Sequence, residues 1–317
     1  MLLGALAAVY PQGVFRDPKT WPRARRVDAL ALALVREDTA PPQGAELEAA
    51  SLLSGLESYR HGALAAYAEA RQLSERALTI YEKVLGPHHP DTARSLNGLA
   101  YLLHEQSDLA AARPLYDRAL AINEKALGPD HPDTAMSINN LAFVVEAEGD
   151  VAAARPLFER ALAIREKALG PEHPDTATCL NNLAGLLHAQ GDLAAARPLF
   201  ERALTIREKA LGPDHPRTAA VLNNLALLLL DQGDLAAARP LFERALTIDE
   251  MALGPDHPRT ATALHNLASL LQAQGELAAA RPLYERALAI RENALGPDHP
   301  DTATVRRNLA GLPQQDS

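Results

Sequence analysis

Gly170-Pro171-Glu172-His173-Pro174, then Leu183-Ala184, then Gly191-Asp192-Leu193-Ala194-Ala195-Ala196-Arg197-Pro198-Leu199-Phe200-Glu201-Arg202-Ala203-Leu204, form one copy of a pattern that fills most of this chain. The string Gly-Pro-x-His-Pro begins at Gly86, Gly128, Gly170, Gly212, Gly254 and Gly296, every 42 residues. A fixed period of this size marks an array whose units are single supersecondary elements.

Each unit reads as two helices. In the first, Leu96, Leu99, Ala100 and Leu103 fall at i, i+3, i+4 and i+7, one apolar stripe that returns as Leu180, Leu183, Ala184 and Leu187. A turn follows at Ser107-Asp108, Gly149-Asp150, Gly191-Asp192, Gly233-Asp234 and Gly275-Glu276. The acidic residue suits the N-terminus of the next helix, where free N–H groups and the positive dipole end lie. The second helix buries Ala112, Tyr116 and Ala119, repeated as Ala154, Phe158 and Ala161.

The Gly of Gly-Pro-x-His-Pro fits a helix C-terminus that needs a left-handed residue, and the Pro after it prevents continuation. The second Pro suits the first turn of the next helix. Thr92, Thr134, Thr176, Thr218, Thr260 and Thr302, or a neighbour of each, cap that turn. Pro114, Pro156, Pro198, Pro240 and Pro282 fall inside the second helix, where a bend is expected.

No unit can bury its stripe alone, so the units must stack. The fold class is therefore all-α, a solenoid of antiparallel helix pairs. The solenoid spans 46–312, with a worn unit at 46–90, five 42-residue units at 91–300 and a capping helix at 301–312. Residues 1–45 form an N-terminal capping segment and linker, and 313–317 a tail. Arg306 stands where earlier units have Leu96, Ile138, Leu180, Leu222 and Leu264, making the last outer surface soluble.

Composition narrows the function. A net charge of −9 over 317 residues argues against nucleic acid, which needs clustered Lys and Arg. No apolar run is long enough to span a membrane. The apolar opening Met1–Val9 lacks a basic leader, and Pro11-Gln12-Gly13 offers no convincing cleavage site. The single Cys179 excludes an internal disulfide and fits a reducing, cytoplasmic setting.

The pattern Leu-Asn-Asn-Leu-Ala … Gly-Asp … Ala … Phe … Ala resembles the tetratricopeptide-repeat (TPR) consensus. The unit length and the connection Leu-Gly-Pro-Asp-His-Pro-Asp-Thr-Ala resemble the kinesin-light-chain subclass, over about 48–312. The resemblance implies a right-handed superhelix whose first helices line a concave, peptide-binding groove. Val9-Tyr10-Pro11 … Asp17-Pro18-Lys19-Thr20-Trp21-Pro22-Arg23-Ala24-Arg25-Arg26 is similar to the segment that joins an NB-ARC (STAND-type) ATPase module to such repeats in bacterial proteins. That likeness implies a regulatory ligand-sensor arm as the alternative function. No Gly-Lys-Ser/Thr triplet, and so no P-loop, occurs in this chain.

Opposite the first-helix stripe lie Arg94, Asn97, Tyr101, His104 and Glu105; then Met136, Asn139, Phe143, Glu146 and Ala147; then Thr178, Asn181, Gly185, His188 and Ala189. Ala220, Asn223, Leu227, Leu230 and Asp231 follow, then Thr262, His265, Ser269, Gln272 and Ala273. Core positions barely change between units, while this face changes in almost every one, as a specific binding face would. Asn97, Asn139, Asn181 and Asn223 point into the groove; Asn140, Asn182, Asn224, Asn266 and Asn308 border it. A side-chain amide can grip an extended backbone whatever its sequence, or it can bridge neighbouring helices. In similar TPR domains the bordering Asn contacts ligand. Tyr101, Phe143, Leu227 and Leu230 are candidate apolar anchors. A clamp for a terminal carboxylate is poorly supported, since only Arg94 and Arg307 are candidates and they lie at opposite ends.

The loop histidines His89, His131, His173, His215, His257 and His299 recur once per unit. Stacked helices lie about 10 Å apart, whereas zinc ligands each sit about 2 Å from one ion. A loop-fixing hydrogen bond is the expected role, with no metal and no cofactor. No Ser-His-Asp arrangement, Gly-rich phosphate loop or isolated carboxylate pair stands apart from the repeats, so no enzyme activity is expected. The expected partner is a protein or peptide, neither nucleic acid nor membrane.

Overall fold

The computed structural model describes residues 2–11, 17–36 and 41–313. Met1, the Gln12-Gly13 part of the leader reading, and residues 314–317 of the tail lie outside them. The described residues form α-helices and one short 3-10 turn, with no strand among them. None of these helices is long and apolar enough to cross a membrane. The chain divides into two compact units, Met1–Pro171 and Glu172–Ser317.

The first unit holds α1 (Leu2–Val9), α2 (Trp21–Leu34), α3 (Glu46–Leu64), α4 (Tyr67–Val84), α5 (Pro90–Glu105), α6 (Leu109–Ala126), α7 (Pro132–Ala147) and α8 (Val151–Leu169). Consecutive helices from α3 onward pack as pairs, and each pair packs on the next. The second unit repeats this with α9 (Pro174–Ala189), α10 (Leu193–Leu211), α11 (Pro216–Asp231), α12 (Leu235–Leu253), α13 (Pro258–Ala273), α14 (Leu277–Leu295) and α15 (Pro300–Ala310).

The apolar stripes meet where the repeat requires. Leu96 and Ala100 of α5 are fully buried, as are Leu180 and Ala184 of α9. Fully buried alanines (Ala112 and Ala119; Ala196 and Ala203) bring the backbones of each pair close. Each repeat also buries one large ring, Tyr116, Phe158, Phe200, Phe242 or Tyr284, none more than 2 % exposed. Burying each such ring stabilises by roughly 1.5–3 kcal/mol. The second helices run unbroken through Pro114, Pro156, Pro198, Pro240 and Pro282.

Both inter-helix turns use specific chemistry. Asp108, Asp150, Asp192 and Asp234 each accept a hydrogen bond from the backbone N–H three residues on, at 3.0–3.2 Å. Glu276, one methylene longer, makes no such cap and instead pairs with Arg239 at 2.7 Å. At the Gly-Pro-x-His-Pro loop the cap is the histidine. The Nδ1 of His89, His131, His173, His215 and His257 accepts from the N–H two residues on at 3.1 Å, and that of His299 at 3.2 Å. The threonine has another task. The hydroxyl of Thr92 donates to the carbonyl of Gly86 at 2.9 Å, and that of Thr134 to Gly128 at 2.7 Å, tying the new helix to the end of the old one. Gly170, at φ 94°, sits where only glycine turns without strain.

The N-terminal helices close one end of the first unit. Leu3, Leu6, Tyr10, Ala24 and Ala31 join Leu52, Leu53 and Leu56 in one core cluster. Arg60 of α3, 5 % exposed, is held by Asp28 of α2 through two 2.8 Å hydrogen bonds and by Glu69 of α4 at 2.8 Å. The extra length after Gly62 is absorbed by Ala65, in the left-handed region at φ 52°, and by a bond from the N–H of Ala66 to the carbonyl of Arg60. In the second unit Arg306 of α15 is exposed and pairs with Glu292 at 2.7 Å.

Two stability measurements test this account. His173→Ala removes a cap acceptor and is expected to cost about 0.5–2 kcal/mol in denaturant unfolding, with His173→Asn recovering most of it. A Cβ on Gly55 would lie 2.7 Å from Cδ1 of the buried Tyr10 ring. Gly55→Ala should therefore cost about 1–3 kcal/mol, and Tyr10→Leu in the same chain should relieve part of that loss.

Candidate functional site

Because the stripe of each first helix is committed to packing, its opposite side carries the variable residues, and these keep partial access to solvent. In the first unit Arg94 is exposed, while Tyr101, His104, Phe143 and Glu146 are half-buried. Ring contacts join successive repeats along this side. His61 of α3 lies 5.4 Å from the ring of Tyr101, and His104 lies 6.5 Å from Phe143. Phe143 in turn meets the core ring of Phe158 edge-on at 5.2 Å. Burial alone lowers the pKa of His104 and raises that of Glu146, so both are moved toward neutrality. Arg94 is already spent on Asp91, at 2.6 Å, with Asp133 at 3.8 Å.

The asparagines divide into two kinds. Asn97, Asn139, Asn223 and Asn266 are buried at 4–8 % exposure. Asn97 donates to the hydroxyl of Ser137 at 2.9 Å and accepts from Asn140 at 3.5 Å, so it links α5 to α7. Ser137 also accepts from Asn123 of α6 at 3.0 Å, which makes a buried polar node. The half-buried Asn181 accepts from Asn224 at 3.0 Å, linking α9 to α11, and donates to Asn182 at 3.4 Å. These amides spend part of their capacity between helices; each retains further donor or acceptor positions. The Oδ1 of Asn223 is buried with no hydrogen-bond partner.

In the second unit Leu227, Leu230 and His265 are half-buried and Asp231 is exposed. The Nε2 of His188 meets a carboxylate oxygen of Asp231 at 2.6 Å. His265 packs edge-on to Tyr284 at 5.5 Å. Burial, with Arg291 nearby, pushes its pKa down to about 4, which keeps it neutral. The hydroxyl of Tyr284 lies 2.9 Å from that of Ser269 and donates to Gln272 at 2.9 Å. Arg307 is exposed on α15.

Residues the periodicity reading passed over reach the same side from the second helices. Arg207 donates to the hydroxyl of Thr178, and Arg291 to that of Thr262 at 3.1 Å while pairing with Asp301 at 2.9 Å. At the equivalent place in α12 stands Asp249, 1 % exposed, facing Arg259 at 3.5 Å. The sign of this pair is thus reversed relative to Arg291 and Asp301. The signal was present in the sequence, since Asp249 breaks a run of arginines at 165, 207 and 291. Among the described residues no group of three or more His, Cys, Asp or Glu side chains could hold a metal. Cys179 is buried.

The sequence profile of the tetratricopeptide repeat matches at residues 61–125, 96–166, 133–209, 180–251, 217–293 and 259–315. The chain belongs to the tetratricopeptide-repeat family. TPR chains are repeat scaffolds that generally mediate protein–protein interaction. Among solved structures, the chain is similar to the nearly identical TPR-like repeats of a candidate kinesin light chain from Podosopora anserina, in a single-substitution variant. That match has 31 % identity, a TM-score of 0.51, and coverage of 65 % of this chain and 97 % of the other. BtubC (BKLC) from P. vanneervenii is 23 % identical at a TM-score of 0.53, covering 80 % of this chain and 94 % of that one. The apo form of RapI is 17 % identical at a TM-score of 0.58, covering 87 % and 92 %. The last two likenesses concern the fold alone. No curated protein matches the chain.

Burial raises the pKa of Asp249 from 3.8 to about 6, with Arg259 opposing the shift. The folded state therefore binds this proton more tightly than the unfolded state, so the residue's contribution to stability falls as pH rises from about 4 through 6. Asp249→Asn is expected to be more stable than the parent by about 1–3 kcal/mol at pH 7.5. The gap should close near pH 4. Urea unfolding of both chains at the two pH values checks this.

Proposed function

We propose that this protein is a non-enzymatic scaffold that holds an extended segment of a partner polypeptide along the concave wall formed by its first helices. One contrast supports this reading. The packing residues are nearly invariant from repeat to repeat, while the half-buried opposite side changes its chemistry at every step. Tyr101 is followed by Phe143 in the first unit; Gly185, Leu227 and Ser269 hold the same place in the second. Positions freed from packing are those available for selecting a guest, and half-buried aromatic and aliphatic residues with polar neighbours suit interface anchors.

The asparagines supply the sequence-independent part. An amide fixed between helices has lost its rotational freedom before a ligand arrives, so a hydrogen bond to a peptide backbone costs less ordering entropy. Asn140, Asn181, Asn182 and Asn224, which keep access to solvent, are the members placed to do this.

Photo-crosslinking tests the reading. A benzophenone side chain introduced at Phe143 or Leu227 should label a partner peptide in lysate, and one at the exposed Glu201 on a second helix should not. Labelling only from Glu201 would reject the first-helix wall as the binding face. Leu227→Ala should weaken capture of the labelled partner by about tenfold, the usual cost of truncating a good anchor, with little change in unfolding midpoint.

A further inference from the structure

The carboxylate of Glu146 has no hydrogen-bond or ion-pair partner among the described residues, although the outer surface of the same unit pairs its charges freely. Arg118 meets Glu82 at 2.6 Å and Arg160 meets Glu124 at 2.8 Å, and Arg113 meets Glu148. Glu146 lies in the last turn of α7, where the negative end of the helix dipole disfavours a carboxylate. One turn earlier on the same side is the half-buried ring of Phe143, braced by Phe158 behind it and by His104 on the preceding repeat. Arg165 of α8, the repeat equivalent of Arg207, is buried and has no electrostatic effect on Glu146, and Arg94 is held by Asp91 at 2.6 Å.

We propose that Glu146 and Phe143 form a subsite for one arginine side chain of the bound polypeptide. This rests on the first-helix wall being the binding face. A guanidinium placed there would pair with the carboxylate and lay its plane on the ring, two interactions that a planar cation can make together and an ammonium makes less well. It would also relieve the two costs that Glu146 carries, partial desolvation of its carboxylate and its position at a helix C-terminus. Burial alone raises the Glu146 pKa, with no neighbouring charge contributing. The formal charge of the chain, −9, favours approach of a basic segment. His104 forms the other flank, where burial shifts its imidazole away from the protonated form.

Selection of a random peptide display library against the full chain, with Glu146→Gln as the comparison, tests the subsite. Glutamine preserves shape, and thermal unfolding of both chains verifies that the fold is intact. The expected result is peptides with arginine at one fixed position. Their affinity should fall about tenfold on Glu146→Gln, and about tenfold when the arginine becomes citrulline, its neutral isostere. The two changes together should be little worse than either alone. Phe143→Leu should weaken the arginine peptide more than the citrulline peptide. Peptides that bind the wall but keep their affinity on Glu146→Gln, or whose arginine dependence survives that change, would overturn the subsite and leave the binding face standing. If neither chain selects any peptide, the binding face itself fails and the subsite falls with it.

Discussion

The fold depends on one burial made again and again: a large ring from each second helix, set between fully buried alanines, as where Phe158 and Tyr284 meet rings on the first helix of their own pair. Phe158 in the first unit, and Phe200 and Phe242 in the second, have essentially no exposed surface. A helix pair taken alone would leave much of its apolar surface in water, at a cost no local hydrogen bond offsets. Each pair is therefore stable only on its neighbour. Buried alanines matter as much as rings, because a larger side chain would separate the helices and forfeit close packing.

Stacking needs a fixed register, and the loops provide it. The histidine acceptor starts each first helix, and the threonine hydroxyl binds that start to the carbonyl that ended the previous helix. Glycine at φ near 94° makes the reversal possible. With the aspartate caps of the second helices, these groups satisfy the backbone donors that helix ends leave open. The consequence for function is geometric. Once packing and loops fix where every first helix lies, the residues opposite the stripe can vary without moving the wall that carries them.

The side opposite the stripe differs in its electrostatics between the two units. In the first unit it carries the rings of Tyr101, His104 and Phe143, with Glu105, Glu146 and the already paired Arg94 as its charges. In the second unit it is aliphatic at Leu227 and Leu230, with a His188–Asp231 pair and a polar network around Tyr284. The reversed Asp249–Arg259 pair shows the same freedom at a junction: the contact survives with its charges exchanged, since attraction is indifferent to which helix carries which sign.

The sequence alone determined the helix pairs, their order, their buried stripe and the aspartate caps, because each follows from periodicity and local turn chemistry that act within a few residues. It also placed histidine in a loop-fixing role. Within the loop, over two and six residues, the structure made histidine the cap and threonine the staple. Tertiary structure decided what depends on neighbours 29 to 43 residues away: it buried Asn97, Asn139 and Asn223 and turned Arg207 and Arg291 toward the first-helix side. It also left Glu146 half-desolvated beside Phe143 with no cation. Those outcomes rest on which side chains meet across a helix junction, and a single repeat's sequence cannot specify its distance to the next.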